Sequence, residues 1–167
     1  MGRKADAISF LIRRATAQDA EGLAACLDSA FQAFRGEYTV DAFRDTVPSA
    51  SALLQRLTEM RLFVAITQTG EIVGTVGYKW VDAEEAHLRG MAVLPTHQGS
   101  GIAQRLLEAV ESELRLGNCV RISLNTTLPL KRAVSFYEKN GFQPSGKVGY
   151  FFGMPLYEYV KTLTQAM

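Results

Sequence analysis

The chain has 167 residues, of which 47% are hydrophobic and 21% charged, a balance that excludes a disordered, fibrous or collagen-like protein. Eighteen Lys and Arg nearly cancel seventeen Asp and Glu, so the net charge of +1 predicts no broad surface for nucleic acid or for a membrane. Because this length suits one core, we expect residues 1–7 to be a flexible tail and residues 8–167 to form a single domain.

The amino-terminal end has the pattern of a strand followed by a helix. Residues 8–14 predict the first strand. Thr16 and Asp19 offer capping side chains for a helix that reaches about Phe34. A strand followed by a helix is the usual opening of an α/β domain.

The next segments predict a second helix and three strands. Ser49 or Ser51 can cap the helix, which carries several leucines on one face. The β-branched runs 62–67 and 72–81 are joined by a short glycine-containing connection and predict an antiparallel hairpin. A further apolar run at 88–94 ends at a proline and predicts another strand.

A glycine-containing loop then leads into the helix with the clearest period in the chain. Its apolar residues recur every four positions, at Ile102, Leu106, Val110 and Leu114. Gly117 ends this helix, and residues 120–124 predict a strand. Because a helix connects the strands at 88–94 and 120–124, we expect them to be parallel neighbours.

The last third of the chain predicts one more helix and two strands. Pro129 suits the first turn of the helix, which ends at the dipeptide 140–141. Strands near residues 141–145 and 154–160 follow it.

The glycine loop, Gln98-Gly99-Ser100-Gly101, lies at a helix N-terminus, where unpaired amides and a partial positive charge attract anions. Glycines let a phosphate approach those amides closely. The loop is either such a phosphate site or a plain turn. A dinucleotide fingerprint would need a third glycine at Gln104, and no Gly-Lys-Ser/Thr sequence of a Walker A loop is present.

Three stretches of the chain resemble the GNAT superfamily of N-acetyltransferases. The loop, Gln98 to Ala103, fits the family signature of Gln or Arg, two residues, Gly, one residue, then Gly or Ala. Residues 88–95 before it and residues 133–142 after it follow in the family's order. The resemblance implies an α/β (α+β) acyl-CoA acyltransferase fold, with a mixed central sheet of about six to seven strands flanked by about four helices.

The same resemblance implies acetyl-CoA as co-substrate and no metal. The residues that would hold its diphosphate are Gln98, Gly99, Ser100, Gly101, Ile102 and Ala103. Met91, Ala92 and Val93 would pair with the pantetheine arm through their backbone, as if the arm were an added strand. The expected reaction is acetyl transfer to a primary amine by direct attack in a ternary complex.

Two residues are candidates for acid and base catalysis. Tyr137 lies where the family has its general-acid tyrosine, and it is either that acid or a packing tyrosine. His87 stands where many relatives have a catalytic glutamate, and it is either the base or a solvent-facing residue. Glu84 and Glu85 offer an alternative base that acts through water. Alternation predicts that residues 87, 89, 91 and 93 share one face of the strand.

A departure from the family concerns the polar contact to pantetheine. Many relatives have Asn seven residues before the tyrosine, whereas this chain has Leu130. Asn125 and Thr126, at the end of the preceding strand, resemble a subgroup with threonine in this connection and can supply the contact instead.

The acceptor is a small-molecule or protein amine that the sequence does not identify. Glu37, Asp41 or Asp45 can attract an ammonium group. An aromatic cluster at 150–152 forms either an apolar wall of the acceptor site or a packed hairpin. A homodimer is an expectation from the family. The alternative function is a non-catalytic acyl-CoA-binding sensor or interaction module of the same fold.

Cysteine use indicates the compartment. Cys26 and Cys119 are the two cysteines of the chain, and their segments predict small buried groups rather than a disulfide. The apolar run at 8–12 is too short for a signal sequence or a membrane span. We therefore expect a cytoplasmic protein with no membrane or nucleic-acid partner.

Overall fold

The computed structural model describes residues 9–127 and 130–163. The strands in these residues are β1 (Phe10–Arg14), β2 (Arg61–Thr67), β3 (Ile72–Trp80), β4 (Glu85–Val93), β5 (Arg121–Thr126), β6 (Gln143–Phe151) and β7 (Met154–Thr162). The α-helices are α1 (Ala20–Phe31), α2 (Val40–Thr46), α3 (Ala50–Glu59), α4 (Ile102–Leu116) and α5 (Lys131–Lys139). The predicted tail, residues 1–7, and Pro129 lie outside the described residues, and the single domain stays a prediction.

All seven strands join one mixed sheet in the order β1-β2-β3-β4-β5-β7-β6. The prediction of a mixed sheet of six to seven strands is therefore confirmed, with five α-helices in the described residues where about four were expected. β2 and β3 pair antiparallel, as the connection between them predicts. β4 and β5 are parallel, because α4 crosses between them.

Helices cover the sheet on both faces. Side chains of β2 alternate between two cores: Phe63 and Ala65 pack with α4, and Leu62 and Val64 pack with α1 and α3. The buried residues of α4 keep the predicted four-residue spacing, with Leu106, Val110 and Leu114 fully enclosed. Among the described residues, no helix is long and apolar enough to cross a membrane.

Three predicted helix boundaries are confirmed. Ser49 caps α3, where its hydroxyl accepts a hydrogen bond from the amide of Ala52 at 3.2 Å. Thr16 and Asp19 form a capping box around a short 3-10 turn that leads into α1. α5 ends where the chain reaches Gly141, which has a positive φ of 91°.

Asp19 also joins the first strand to this turn. Its carboxylate accepts bonds of 2.7 and 2.9 Å from the Arg13 guanidinium and one of 2.7 Å from the Thr16 amide. The Arg13 hydrogen bonds are the main reason that the pKa of Asp19 lies below its usual value, despite the opposing effect of burial.

We expect Asp19→Asn to lower the free energy of unfolding by about 2 kcal/mol at pH 7, less than for a fully buried pair because Arg13 is partly exposed. Because the folded-state pKa is lowered, this contribution is complete above the unfolded pKa of about 3.9 and disappears as the pH falls below it. Urea unfolding at pH 7 and pH 3 measures it. Asp28→Asn, on the exposed side of α1, is the control and should change stability by less than about 0.5 kcal/mol.

The sequence patterns missed three features. The segment before Pro48 forms the short helix α2, capped by Thr39, although its mixed composition predicted no element. β4 begins at Glu85, three residues before the predicted run. The apolar run did not include these first residues because Glu85 and His87 are polar. β6 extends to Phe151 because β7 supplies a pairing partner for a segment whose glycines and proline argued against a strand.

Candidate active site

The parallel strands β4 and β5 separate within the sheet. Their pairing ends at Leu88 opposite Leu124, although β4 continues to Val93. The Leu94 amide donates a hydrogen bond of 2.9 Å to the Val73 carbonyl at the end of the β3–β4 pair. Along a strand of an antiparallel pair, only every second residue directs its amide to the partner strand, and the residues between direct theirs the other way. The amide of Val93 therefore points away from β3, into the gap that β5 leaves.

A cavity of about 680 Å³ opens at this gap. The C-terminal part of β4 and the start of α4 form one side, and Phe31 and Phe34 close it near α1. On the opposite side, Ala133 and Phe136 of α5 complete an apolar wall. A cavity of this size and character suits a ligand of about drug size.

A β-bulge at Gly90 reverses the alternation of side chains along β4. Gly90 has a φ of 71°, and β4 has one more residue than β3 in this interval. Leu88 packs with α4, whereas Ala92, four residues later, packs in the core of α1 and α3. An unbroken strand would place both on the same face.

The prediction that residues 87, 89, 91 and 93 share one face is therefore wrong. Met91 and Val93 pack against the core beneath α4, as the buried residues before the bulge do. His87 and Arg89 point to the other face, where Arg89 forms an ion pair with Asp45 of α2. The bulge thus assigns His87 to the side of the sheet that α2 covers.

The glycine loop has the backbone of an open helix N-terminus. Gly99 and Gly101 have φ values of 80° and 88°, which residues with a side chain rarely adopt. A Cβ at either position would have no heavy atom within 4 Å, so the space above the loop is free. No side chain caps α4, and its first amides remain available to a ligand.

Most of the predicted cofactor residues line the cavity. They are Met91, Ala92, Val93, Gln98, Gly99, Gly101, Ile102, Ala103 and Tyr137. Ser100, Asn125 and Thr126 do not, and neither does His87, the predicted base. The hydroxyl of Ser100 donates instead to the carbonyl of His97, which holds the turn. Gln98 accepts a bond of 2.7 Å from Arg132, which connects the loop to α5.

Tyr137 is buried on the α5 side of the cavity. Its ring lies 5.5 Å from those of Phe136 and Phe142, in both cases edge to face. Burial raises the pKa of its phenol above the usual value, so the group keeps its proton at neutral pH. Its hydroxyl has no hydrogen-bond partner among the described residues.

His87 lies outside the cavity, on the face of β4 described above. Its Nδ1 is 2.9 Å from the hydroxyl oxygen of Ser123 on β5. Burial is the main cause that lowers the pKa of His87, and the charge of Lys79 adds to it. The imidazole is therefore neutral at pH 7 and can accept a proton.

The two glutamates before His87 differ in their surroundings. Glu84 is exposed. Glu85 is enclosed by β5, where Arg121 Nε lies 3.3 Å from its Oε1 and the Ser123 hydroxyl lies 3.4 Å from its Oε2. Ser123 had no predicted role, although it is the one serine in the run 120–124, whose other residues predicted a strand.

The end of β5 presents one unpartnered polar atom. Thr126 is 4% exposed, and its Oγ1 has no hydrogen-bond partner among the described residues. Because Leu124 packs beneath α4 and α5, alternation turns Thr126 to the same side. Asn125 is exposed on the other face, and Leu130 lines the cavity. A buried hydroxyl without a partner is uncommon in folded proteins, and a bound water, ion or ligand would satisfy it.

The acidic residues expected to attract an amine have different roles. Asp45 is engaged by Arg89 and lies 3.9 Å from Arg56. Asp41 lies 3.7 Å from Arg44 on the surface of α2. Glu37 is exposed. The alternative of a packed hairpin at 150–152 is wrong for two of its residues, because Tyr150 and Phe152 are 80% and 53% exposed.

Neither a metal site nor a reactive cysteine is found in the described residues. No three His, Cys, Asp or Glu side chains in residues 9–127 and 130–163 are grouped to hold a metal ion. Both cysteines are free and buried. Burial raises the pKa of Cys26 to about 12, so its thiol stays protonated.

Similarity to known proteins points to one family. The sequence model of the acetyltransferase (GNAT) family matches residues 23–142. The protein YdhI of Bacillus subtilis (strain 168), which is uncharacterized, is 33% identical over 88 residues, or 53% of each chain. An IAA acetyltransferase of Azospirillum brasilense is 31% identical over 96 residues, or 56% of this chain and 62% of that protein. This chain thus spans between half and two thirds of these two relatives.

Other relatives extend further. Aminoglycoside N(6')-acetyltransferase type 1 of Stenotrophomonas maltophilia is 30% identical over 123 residues, which are 65% of this chain and 80% of that protein. The PaiA N-acetyltransferase of Thermoplasma acidophilum, solved in complex with coenzyme A, has a TM-score of 0.76 at 20% identity over 93% of this chain and 99% of its own. A GNAT acetyltransferase of Staphylococcus aureus Mu50 has a TM-score of 0.78 at 23% identity over 93% of this chain and 100% of its own.

Proposed function

Because this chain belongs to the GNAT acetyltransferase family, we propose that it transfers the acetyl group of acetyl-CoA to a primary amine by direct attack in a ternary complex. The observation that carries the proposal is the cavity at the split between β4 and β5, which the open glycine loop and Tyr137 both line. The acceptor is a small molecule or a protein amine.

The residues of the cavity fit the parts of acetyl-CoA. The amides at the start of α4, with Gly99 and Gly101 before them, would hold the diphosphate without a basic side chain. The free backbone of β4 would hold the pantetheine arm. Thr126 lies outside the cavity lining, at the end of β5, and its unpartnered hydroxyl would bind one amide of an arm that extends past the cavity to this strand. Acetyl-CoA would supply an acyl group already activated as a thioester.

Three groups of this chain would then assist the transfer. His87 accepts a proton from the acceptor ammonium, directly or through water, because its imidazole is neutral at pH 7. The amide of Val93 donates a hydrogen bond to the carbonyl oxygen as negative charge develops there. The Tyr137 hydroxyl, which burial keeps protonated, donates its proton toward the sulfur of the leaving thiol.

Release of free thiol tests the proposal. Purified protein is mixed with acetyl-CoA and a panel of small amines and lysine peptides, and thiol is followed with a chromogenic disulfide. We expect CoA binding by calorimetry and thiol release that depends on the amine. Tight binding without release for any amine would favour the alternative, a non-catalytic acyl-CoA-binding module.

The proposed base predicts a pH dependence. Because His87 must be neutral and its pKa is lowered, kcat/KM should rise with pH through a value below the usual 6.5 and then level off. His87→Gln should remove this rise and lower the plateau about 100-fold. His97→Gln should keep the rise, since His97 lies in the turn before the glycine loop and not beside Ser123, where His87 lies. An unchanged profile in His87→Gln would exclude His87 as the base and favour a glutamate acting through water.

The cellular compartment and the oligomeric state are two further proposals. The buried thiols of Cys26 and Cys119 support a reducing, cytoplasmic compartment. A homodimer stays a prediction from the family.

A further inference from the structure

His87, Ser123 and Glu85 form a hydrogen-bonded chain on the face of the sheet turned away from α4 and α5. His87 Nδ1 lies 2.9 Å from Ser123 Oγ, which lies 3.4 Å from Glu85 Oε2. A carboxylate only accepts hydrogen bonds, so the hydroxyl proton of Ser123 is directed to Glu85. The serine oxygen is then left to accept a bond from His87, whose Nδ1 must carry the proton.

Arg121 fixes the direction of this chain. Its Nε lies 3.3 Å from Glu85 Oε1, and its Nη2 lies 3.4 Å from Glu158 Oε1. A guanidinium group only donates hydrogen bonds and is always charged. Arg121 therefore forms an ion pair on the Oε1 side of Glu85, although its Nε makes no hydrogen bond to the described residues, and Oε2 remains the acceptor for the hydroxyl of Ser123.

We propose that Glu85 and Ser123 are positioning residues that hold His87 in the tautomer with the proton on Nδ1, which leaves Nε2 free to accept the proton of the acceptor amine. The inference rests on the proposed function, in which His87 is the base. In a neutral imidazole, the hydrogen bond at one nitrogen decides which nitrogen is protonated. Ser123 is 2% exposed, so water does not compete for that bond.

The other charged groups around His87 affect its proton affinity rather than its tautomer. Lys79 on β3 and Arg89 on β4 favour the neutral ring, while Glu158 on β7 and Glu85 favour the charged ring. Only Glu85 also receives the hydroxyl proton of Ser123. A change at Glu158 therefore alters the charge near His87 and preserves the chain, which makes Glu158→Gln the matched control for Glu85→Gln.

The isosteric substitution Glu85→Gln should reverse the chain. The positive charge of Arg121 attracts the amide oxygen of the new side chain and repels its NH2 group, so the NH2 group faces Ser123. The serine oxygen then accepts that bond, and its proton turns to His87 Nδ1. The ring must place its own proton on Nε2. We expect maximal thiol release to fall at least 10-fold in Glu85→Gln, with the KM for acetyl-CoA unchanged.

Two-dimensional ¹H–¹⁵N spectra of the histidine side chains at pH 8 report the tautomer without any need for activity. The chain has two histidines, and His97→Gln assigns the signals. We expect a proton on Nδ1 of His87 in the unmodified protein and in Glu158→Gln, and a proton on Nε2 in Glu85→Gln. A proton mainly on Nε2 in the unmodified protein would overturn the inference.

Ser123 variants complete the test. Ser123→Ala should lose the Nδ1 preference and at least 10-fold in maximal rate, and Ser123→Thr, which keeps the hydroxyl, should restore both. An Nδ1 proton that persists in Ser123→Ala, or a tautomer change in Glu85→Gln without a change of rate, would also overturn it. Failure of the proposed function is distinct, because the unmodified protein would release no thiol whatever the tautomer.

Discussion

Glu in place of Gly101 should weaken CoA binding about 100-fold, equivalent to about 2.8 kcal/mol. Gly101 lies before the first turn of α4 with a φ of 88°. A carboxylate there would take the place of the phosphate at the helix N-terminus and repel the remaining charge. Isothermal titration calorimetry with CoA measures the change.

Backbone strain must be separated from the loss of the anion site. Gly70, in the turn between β2 and β3, has a φ of 86° and, like Gly101, open space around its Cβ position. Gly70→Glu should therefore cost similar stability, about 1–2 kcal/mol, and leave CoA affinity unchanged. Equal affinity in the two variants and the unmodified protein would exclude the loop as the diphosphate site.

The Tyr137→Phe variant should lower kcat about 100-fold while the Kd for CoA stays the same. Loss of a general acid affects the departure of the thiolate, and the ring that packs against Phe136 and Phe142 remains. Because the hydroxyl has no partner among the described residues, its removal should not lower the free energy of unfolding. Thiol-release kinetics and thermal unfolding measure the two effects.

Tyr159→Phe is the matched control for this variant. Tyr159 is partly buried against the same core as Tyr137 but does not line the cavity. The control should change kcat by less than about twofold, within the range of ordinary surface changes. If Tyr137→Phe keeps the full rate, Tyr137 is a packing residue and the proton for the thiolate comes from elsewhere.

The split between β4 and β5 explains why an apolar cavity suits an anionic cofactor. The net charge of the chain is +1, and the loop has no basic side chain of its own. Backbone amides at the start of α4 provide the positive potential locally. Arg132 is a basic side chain at the cavity, and it donates a hydrogen bond of 2.7 Å to Gln98. This bond must break if either side chain rotates to contact a phosphate.

The sequence predicted those helices, turns and strands that depend on residues close together in the chain. The glycine loop and the helix after it have the expected boundaries because positive-φ glycines and a four-residue apolar period act within one turn. The Ser49 cap and the β2–β3 hairpin depend likewise on neighbours in the chain. The family resemblance, confirmed over residues 23–142, depends on the same local motifs.

The tertiary structure decided what depends on distant residues. The bulge at Gly90 decides that His87 lies on the opposite face of β4 from Met91 and Val93. One extra residue in a strand reverses which side chains face which side of the sheet, and hydrophobic patterning alone did not reveal it. Asp45 is paired with Arg89 only because α2 packs over β4. The sequence by itself thus determined the fold and the conformation of the glycine loop, whereas pairing across the sheet decided which polar side chains meet, because those contacts join residues far apart in the chain.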